Sequence, residues 1–142
     1  MDKGITCKTE KKLLSETENH VKGFADKLPG IDFVYFKVWK KQRFQCYMEA
    51  KRLKEMDSDL KRAYINEGMD RYISEKYPTG CMPGYLLEGN VSNTVDGINA
   101  LLNKDKRSTE ILYAMASGKI NFCYESNHTS IGVLKHLIFD FT

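Results

Sequence analysis

The 142 residues carry 22 Lys and Arg against 19 Asp and Glu, a net charge of +3, with 42% hydrophobic and 29% charged residues. That is the make-up of an ordinary globular chain and excludes disordered, fibrous and cysteine-scaffold classes; the length predicts a single domain over residues 1–142. No apolar run approaches the roughly 18 residues of a membrane span, and the Lys-rich start has no signal-peptide core, so a cytoplasmic protein with no membrane partner is expected.

The charge is uneven. Up to Lys54 there are 13 basic and 7 acidic residues, and beyond it 9 and 12. The basic part suits a phosphate-bearing partner, although solvated lysines account for it equally well. The four cysteines, Cys7, Cys46, Cys81 and Cys123, lack the paired spacing of a zinc or redox site, so buried free thiols are expected.

In chain order, Leu13, Leu14, Thr17, Val21, Phe24 and Leu28 recur at helical spacing and predict a helix over Thr9 to Leu28, ended by Pro29-Gly30. A hairpin follows, with strands near 32–39 and 43–51 joined at Lys40-Lys41. If those two lysines form the turn, Trp39 faces Gln42 and the same register sets Asp32 opposite Glu49. Alternation then puts Phe33, Tyr35, Trp39, Phe44, Cys46 and Met48 on a face read as core. Tyr47, Glu49 and Lys51 fall on a mixed, site-bearing face.

Asp57 or Ser58 offers an N-cap for a helix running to about Tyr77. In it Glu67 and Arg71 have the favourable four-residue spacing, and Gly68 implies close packing against the sheet. A strand within Cys81 to Gly89, a helix over Val91 to Leu102, and a short helix or strand in Glu110 to Ser117 come next. Strands over Lys119 to Ser126 and Gly132 to Phe141 complete an α/β fold, a mixed central sheet flanked by helices.

The chemistry gathers at Asp32 and Glu49-Ala50-Lys51. Paired carboxylates offer the oxygen ligands that Mg²⁺ or Mn²⁺ takes. A neighbouring lysine can orient or deprotonate a water and neutralise charge developing on phosphorus. Charges also fall at strand ends by chance, so the trio alone is a weak signal.

Asp32, sixteen residues, then Glu49-Ala50-Lys51 in an apolar strand followed by a long helix resembles the PD-(D/E)xK phosphodiesterase superfamily, of restriction-endonuclease-like fold. Tyr47 to Leu53, Tyr64 to Ile73, Met82-Pro83-Gly84-Tyr85, Ser126-Asn127-His128 and Leu134 to Phe141 are similar to a bacterial group within it. The resemblance implies Asp32, Glu49 and Lys51 as catalytic residues. It implies a metal site of Asp32, Glu49 and the Ala50 backbone carbonyl, with Glu18, or Glu10, contributed by the first helix. Lys40, Lys41, Arg43, Arg52, Lys54 and His128 are the candidates for nucleic-acid contact. The motif leaves the role of Ser126 and His128 open; phosphate contact is one reading, ordinary structural hydrogen bonding the other, which also serves for His136.

Three features depart from the superfamily pattern: no proline precedes Asp32, no strand is predicted between the first helix and the acid-bearing strand, and no specificity domain is visible. Sequence-selective cleavage would therefore need a homodimer or a protein partner. The resulting expectation is a Mg²⁺-dependent nuclease hydrolysing phosphodiester bonds of DNA, in defence or mobile-element biology. The alternatives are a catalytically silent nuclease-fold module that binds nucleic acid or a protein partner, and an interaction subunit whose acids are mere surface charges.

Overall fold

The computed structural model describes residues 5–12, 30–39, 42–77, 80–115 and 122–142, with backbone alone in 5–12, 30–39 and 43–45. Its strands are β1 (Ile5–Lys12), β2 (Gly30–Trp39), β3 (Gln42–Met48), β4 (Lys51–Leu53), β5 (Gly80–Leu86), β6 (Tyr113–Ala114), β7 (Cys123–His128) and β8 (Gly132–Asp140). They form one mixed sheet in the order β1-β2-β3-β5-β8-β7-β6, with β4 paired to β5. β3, β5 and β8 run parallel at its centre, and antiparallel pairs lie on either side.

A helix expected from Thr9 gives way to strand: Thr9 to Lys12 belong to β1, which pairs antiparallel with β2. The β-branched and alternating start Ile5-Thr6-Cys7-Lys8-Thr9 suits a strand, and a neighbour to pair with decides the matter. The remainder of that predicted helix lies outside the described residues. The expectation that no strand lies between that helix and the acid-bearing strand falls on residues outside those described.

The β2–β3 ladder runs from Trp39 facing Gln42, the register the two-residue spacing predicts, to Phe33 facing Met48. Which face is core is reversed, however. Tyr47 and Glu49 are buried, while Cys46 and Met48 are only half-buried. Burial follows the helices, and these cover the Tyr47 side.

Asp57, of the two possible caps, starts helix α1 (Ser58–Ala63), its Oδ1 accepting from the amides of Asp59 and Leu60 at 3.0 and 2.9 Å. The chain continues as a π-helical stretch, Tyr64–Met69, and then α2 (Asp70–Ile73), ending short of the predicted Tyr77. Gly68 packs as expected: a Cβ there would collide with the end of Met82 on β5. Helix α3 (Val91–Lys104), capped by Asn90, and a 3₁₀ turn (Ser108–Glu110) complete the helical layer.

Val91, Val95, Ile98 and Leu102 of α3 join Tyr64, Ile65, Met69 and Tyr72 in one core with Leu53, Met82, Leu86, Leu134 and Ile138 of the sheet. The other side of β8 shows Val133, Phe139 and Phe141 to solvent. Cys81 is a buried free thiol, and Cys46 and Cys123 are half-buried ones. No described helix is long and apolar enough to cross a membrane.

Candidate active site

Glu49 and Ala50 interrupt the pairing with β5. Tyr47 and Met48 pair with Gly80 and Cys81, and the same offset resumes at Lys51 with Gly84. Pro83, two residues beyond Cys81, faces the gap with a nitrogen that has no hydrogen to donate. The Tyr72 hydroxyl fills it from the helical layer, accepting from the Glu49 amide at 3.0 Å and lying 3.0 and 3.1 Å from the Tyr47 and Cys81 carbonyls. A break in the ladder thus holds the Glu49 backbone at a fixed place on the helix-covered side of the sheet.

The Glu49 carboxylate is buried, yet it is not alone. Its Oε1 accepts from Lys51 Nζ at 2.9 Å and from Arg71 Nη1 at 2.8 Å. Arg71 also donates to the Tyr77 hydroxyl at 2.9 Å and lies over that ring. Glu67, largely exposed, stands 3.9 Å from Lys51. The predicted Glu67 and Arg71 pair is therefore replaced: the wider π-helical turn carries Arg71 round to Glu49. Two cations and two carboxylates balance one another in charge.

Of the other residues singled out from the sequence, Asp32 lies in β2, one residue beyond the last Phe33 and Met48 pair, with only its backbone described. Ala50, between Glu49 and Lys51, is half-buried. Glu10 is on β1 rather than on a helix, and Glu18, Lys40 and Lys41 lie outside the described residues, as does the Arg43 side chain. Arg52 is exposed on β4, and Lys54 is paired with Glu88 at 3.0 Å. Among the described residues no group of three or more His, Cys, Asp or Glu side chains is poised to hold a metal.

Ser126 and His128 belong to a separate, buried polar chain. Tyr64 Oη lies 2.8 Å from His136 Nδ1, His136 Nε2 2.8 Å from Ser126 Oγ, and Ser126 Oγ 2.6 Å from His128 Nε2. His128 Nδ1 reaches Glu110 Oε2 at 3.0 Å, and Arg107 binds both Glu110 and Asp70. Arg107 holds the Glu110 carboxyl below the usual range, so Glu110 only accepts. The protons are then ordered one way: Tyr64 donates to His136, His136 through Nε2–H to Ser126, Ser126 to His128, and His128 through Nδ1–H to Glu110.

Every member is satisfied with both histidines neutral, and burial favours that form, pushing His136 down to about 3 and lowering His128 also. Ser126, His128 and Glu110 share the connectivity of a serine-nucleophile triad. Ser126 is nevertheless fully buried, so no substrate reaches its hydroxyl. Both His128 ring nitrogens are engaged inside the protein.

Sequence reasoning missed Arg71, Tyr72 and Tyr77 at the first site, and Tyr64, Arg107 and Glu110 in the buried chain. The polar residues inside otherwise apolar segments were the one signal present, but only tertiary contact gives them partners. No protein-family model, curated protein or solved structure matches the chain.

Proposed function

We propose that the chain is a metal-dependent nuclease that hydrolyses phosphodiester bonds of DNA. The observation that carries this reading is the buried Glu49 carboxylate with Lys51 Nζ at 2.9 Å, held at a strand break whose backbone is tied down by Tyr72. Support also comes from the β2–β3 register, which stops one residue short of pairing Asp32 with Glu49. The element order, antiparallel β1 to β3, the short β4, the helices and then β5 parallel to β3, supports the reading at the level of a mixed α/β sheet.

Carboxylate and carbonyl oxygens are the donor types a hard divalent cation takes, although of the two carboxylates only the Glu49 side chain is described and its Oε1 is engaged by Lys51 and Arg71. Glu49, the Ala50 carbonyl and Asp32 would hold Mg²⁺ or Mn²⁺. Such an ion supplies, when bound, Lewis acidity and a water of lowered pKa. Lys51 would orient an attacking water and offset negative charge gathering on the phosphate oxygens. Its ammonium is kept in place by the Glu49 carboxylate and by packing of its stem near Gly68. Arg52, exposed on β4, is the described basic residue offered for contact with a nucleic-acid backbone.

A second reading is a catalytically silent module of the same fold that binds nucleic acid or a protein partner. One observation favours it: two cations already neutralise Glu49. The two separate in one assay, plasmid DNA with Mn²⁺ and either wild type or Lys51→Ala. The nuclease reading expects nicking by wild type and a loss of at least about 10²-fold in the folded variant; equal nicking, or none by either, would sink it.

A further inference from the structure

We propose that the face of the sheet turned away from the helical layer carries a platform for single-stranded DNA, built on Arg52, Tyr85, Phe139 and Phe141. The register sets the first three side by side across three strands: Arg52 of β4 pairs with Tyr85 of β5, and Tyr85 with Phe139 of β8. Their chain neighbours Leu53, Leu86 and Ile138 point into the core beneath the helices. Alternation therefore turns Arg52, Tyr85 and Phe139 to the opposite face. The proposal goes beyond the nuclease reading and does not depend on it, since Glu49 and Lys51 lie on the helix-covered side.

The rings are open to solvent and held in place. Phe139 is 44% exposed and Phe141 65%. Tyr85, half-buried, has its ring centroid 5.9 Å from that of Phe139 and 5.8 Å from that of Phe141. The Phe141 amide donates to the Leu86 carbonyl at 2.9 Å, which ties the last aromatic residue to the sheet. A bare cluster of this kind marks an interaction site.

Its chemistry fits a single strand better than a duplex or an apolar protein surface. Phe139 and Phe141, two residues apart on one face, are separated by about 7 Å, twice the ~3.4 Å rise of stacked bases. Successive bases pulled apart can each meet a ring, whereas a duplex covers its base faces. Arg52, exposed at the end of the row, has no carboxylate partner among the described residues, and its guanidinium suits a phosphate beside stacked bases. Apart from Arg52 and the Tyr85 hydroxyl the row is apolar, so it offers little to a ribose 2′-hydroxyl. DNA is therefore the occupant.

The test is binding of a fluorescently labelled oligodeoxythymidine of about 12 nucleotides to the full chain in EDTA, where no metal-dependent cleavage intervenes. Phe139→Leu and Phe141→Leu keep an apolar side chain but remove the ring, and each should weaken binding about tenfold. Arg52→Gln should weaken it and make the log–log salt dependence shallower by about 0.7. A duplex of the same length should bind at least tenfold more weakly, and oligouridine no more tightly. Should Phe139→Leu fail to fold, Phe141→Leu, at the more exposed site, decides alone.

Leucine variants that bind as tightly as wild type overturn the proposal, because apolar bulk and not the ring would then hold the ligand. Duplex binding as tight as that of the single strand overturns it too, as does tighter binding of oligouridine. No binding by wild type also overturns it; if wild type then sediments as a dimer that Phe141→Asp dissolves, the face is an interface between copies of this chain. Ring-dependent binding without plasmid nicking in Mn²⁺ upholds the platform and removes only the nuclease reading.

Discussion

Acid should destabilise this protein through His136, and the effect can be isolated with one substitution. Burial holds the imidazole down at about 3, against 6.5 for a free histidine. The unfolded chain therefore takes up the proton first. Stability is full above the unfolded value, falls as the pH drops below it, and levels off only near the folded value.

Between those limits the slope is about 1.4 kcal/mol per pH unit, so at pH 4.5, two units below the unfolded value, the loss is about 3 kcal/mol. His128, lowered by burial, adds in the same direction. Urea unfolding at several pH values between 7.5 and 4.5, for wild type and His136→Phe, reads this directly. The variant is weaker at neutral pH because Tyr64 and Ser126 each lose a partner, so slope and not height is compared. Parallel curves would refute the account of a neutral, one-way hydrogen-bond chain.

Two further substitutions probe the frame around Glu49. Tyr72→Phe removes the hydroxyl that bridges the Glu49 amide and the Tyr47 and Cys81 carbonyls, and should cost about 1–3 kcal/mol in urea unfolding at neutral pH; no loss would mean the gap is satisfied otherwise. Gly84→Ala would set a methyl 2.7 Å from Leu53 Cδ1 and 2.8 Å from Ile138 Cδ1, an overpacking expected to cost about 1–3 kcal/mol; a neutral outcome would show that the core yields more readily than its contacts suggest.

The amino-acid sequence by itself determined the local elements whose signals are local. Asn90 and Asp57 have side chains that cap helices from a few residues away. Trp39 meets Gln42 because only two residues separate the strands. Glu49 and Lys51 share a face because strand alternation requires it. Tertiary structure alone decided what depends on a distant partner. Thr9 to Lys12 became strand because β2 offered an edge to pair with. Tyr47 rather than Met48 went to the core because the helical layer packs on that side. Arg71 turned from Glu67 to Glu49 through a π-helical turn, and Glu110 found His128 eighteen residues away. A lone sequence shows which groups can ionise or donate; which of them meet is fixed only when the sheet and helices bring remote segments together.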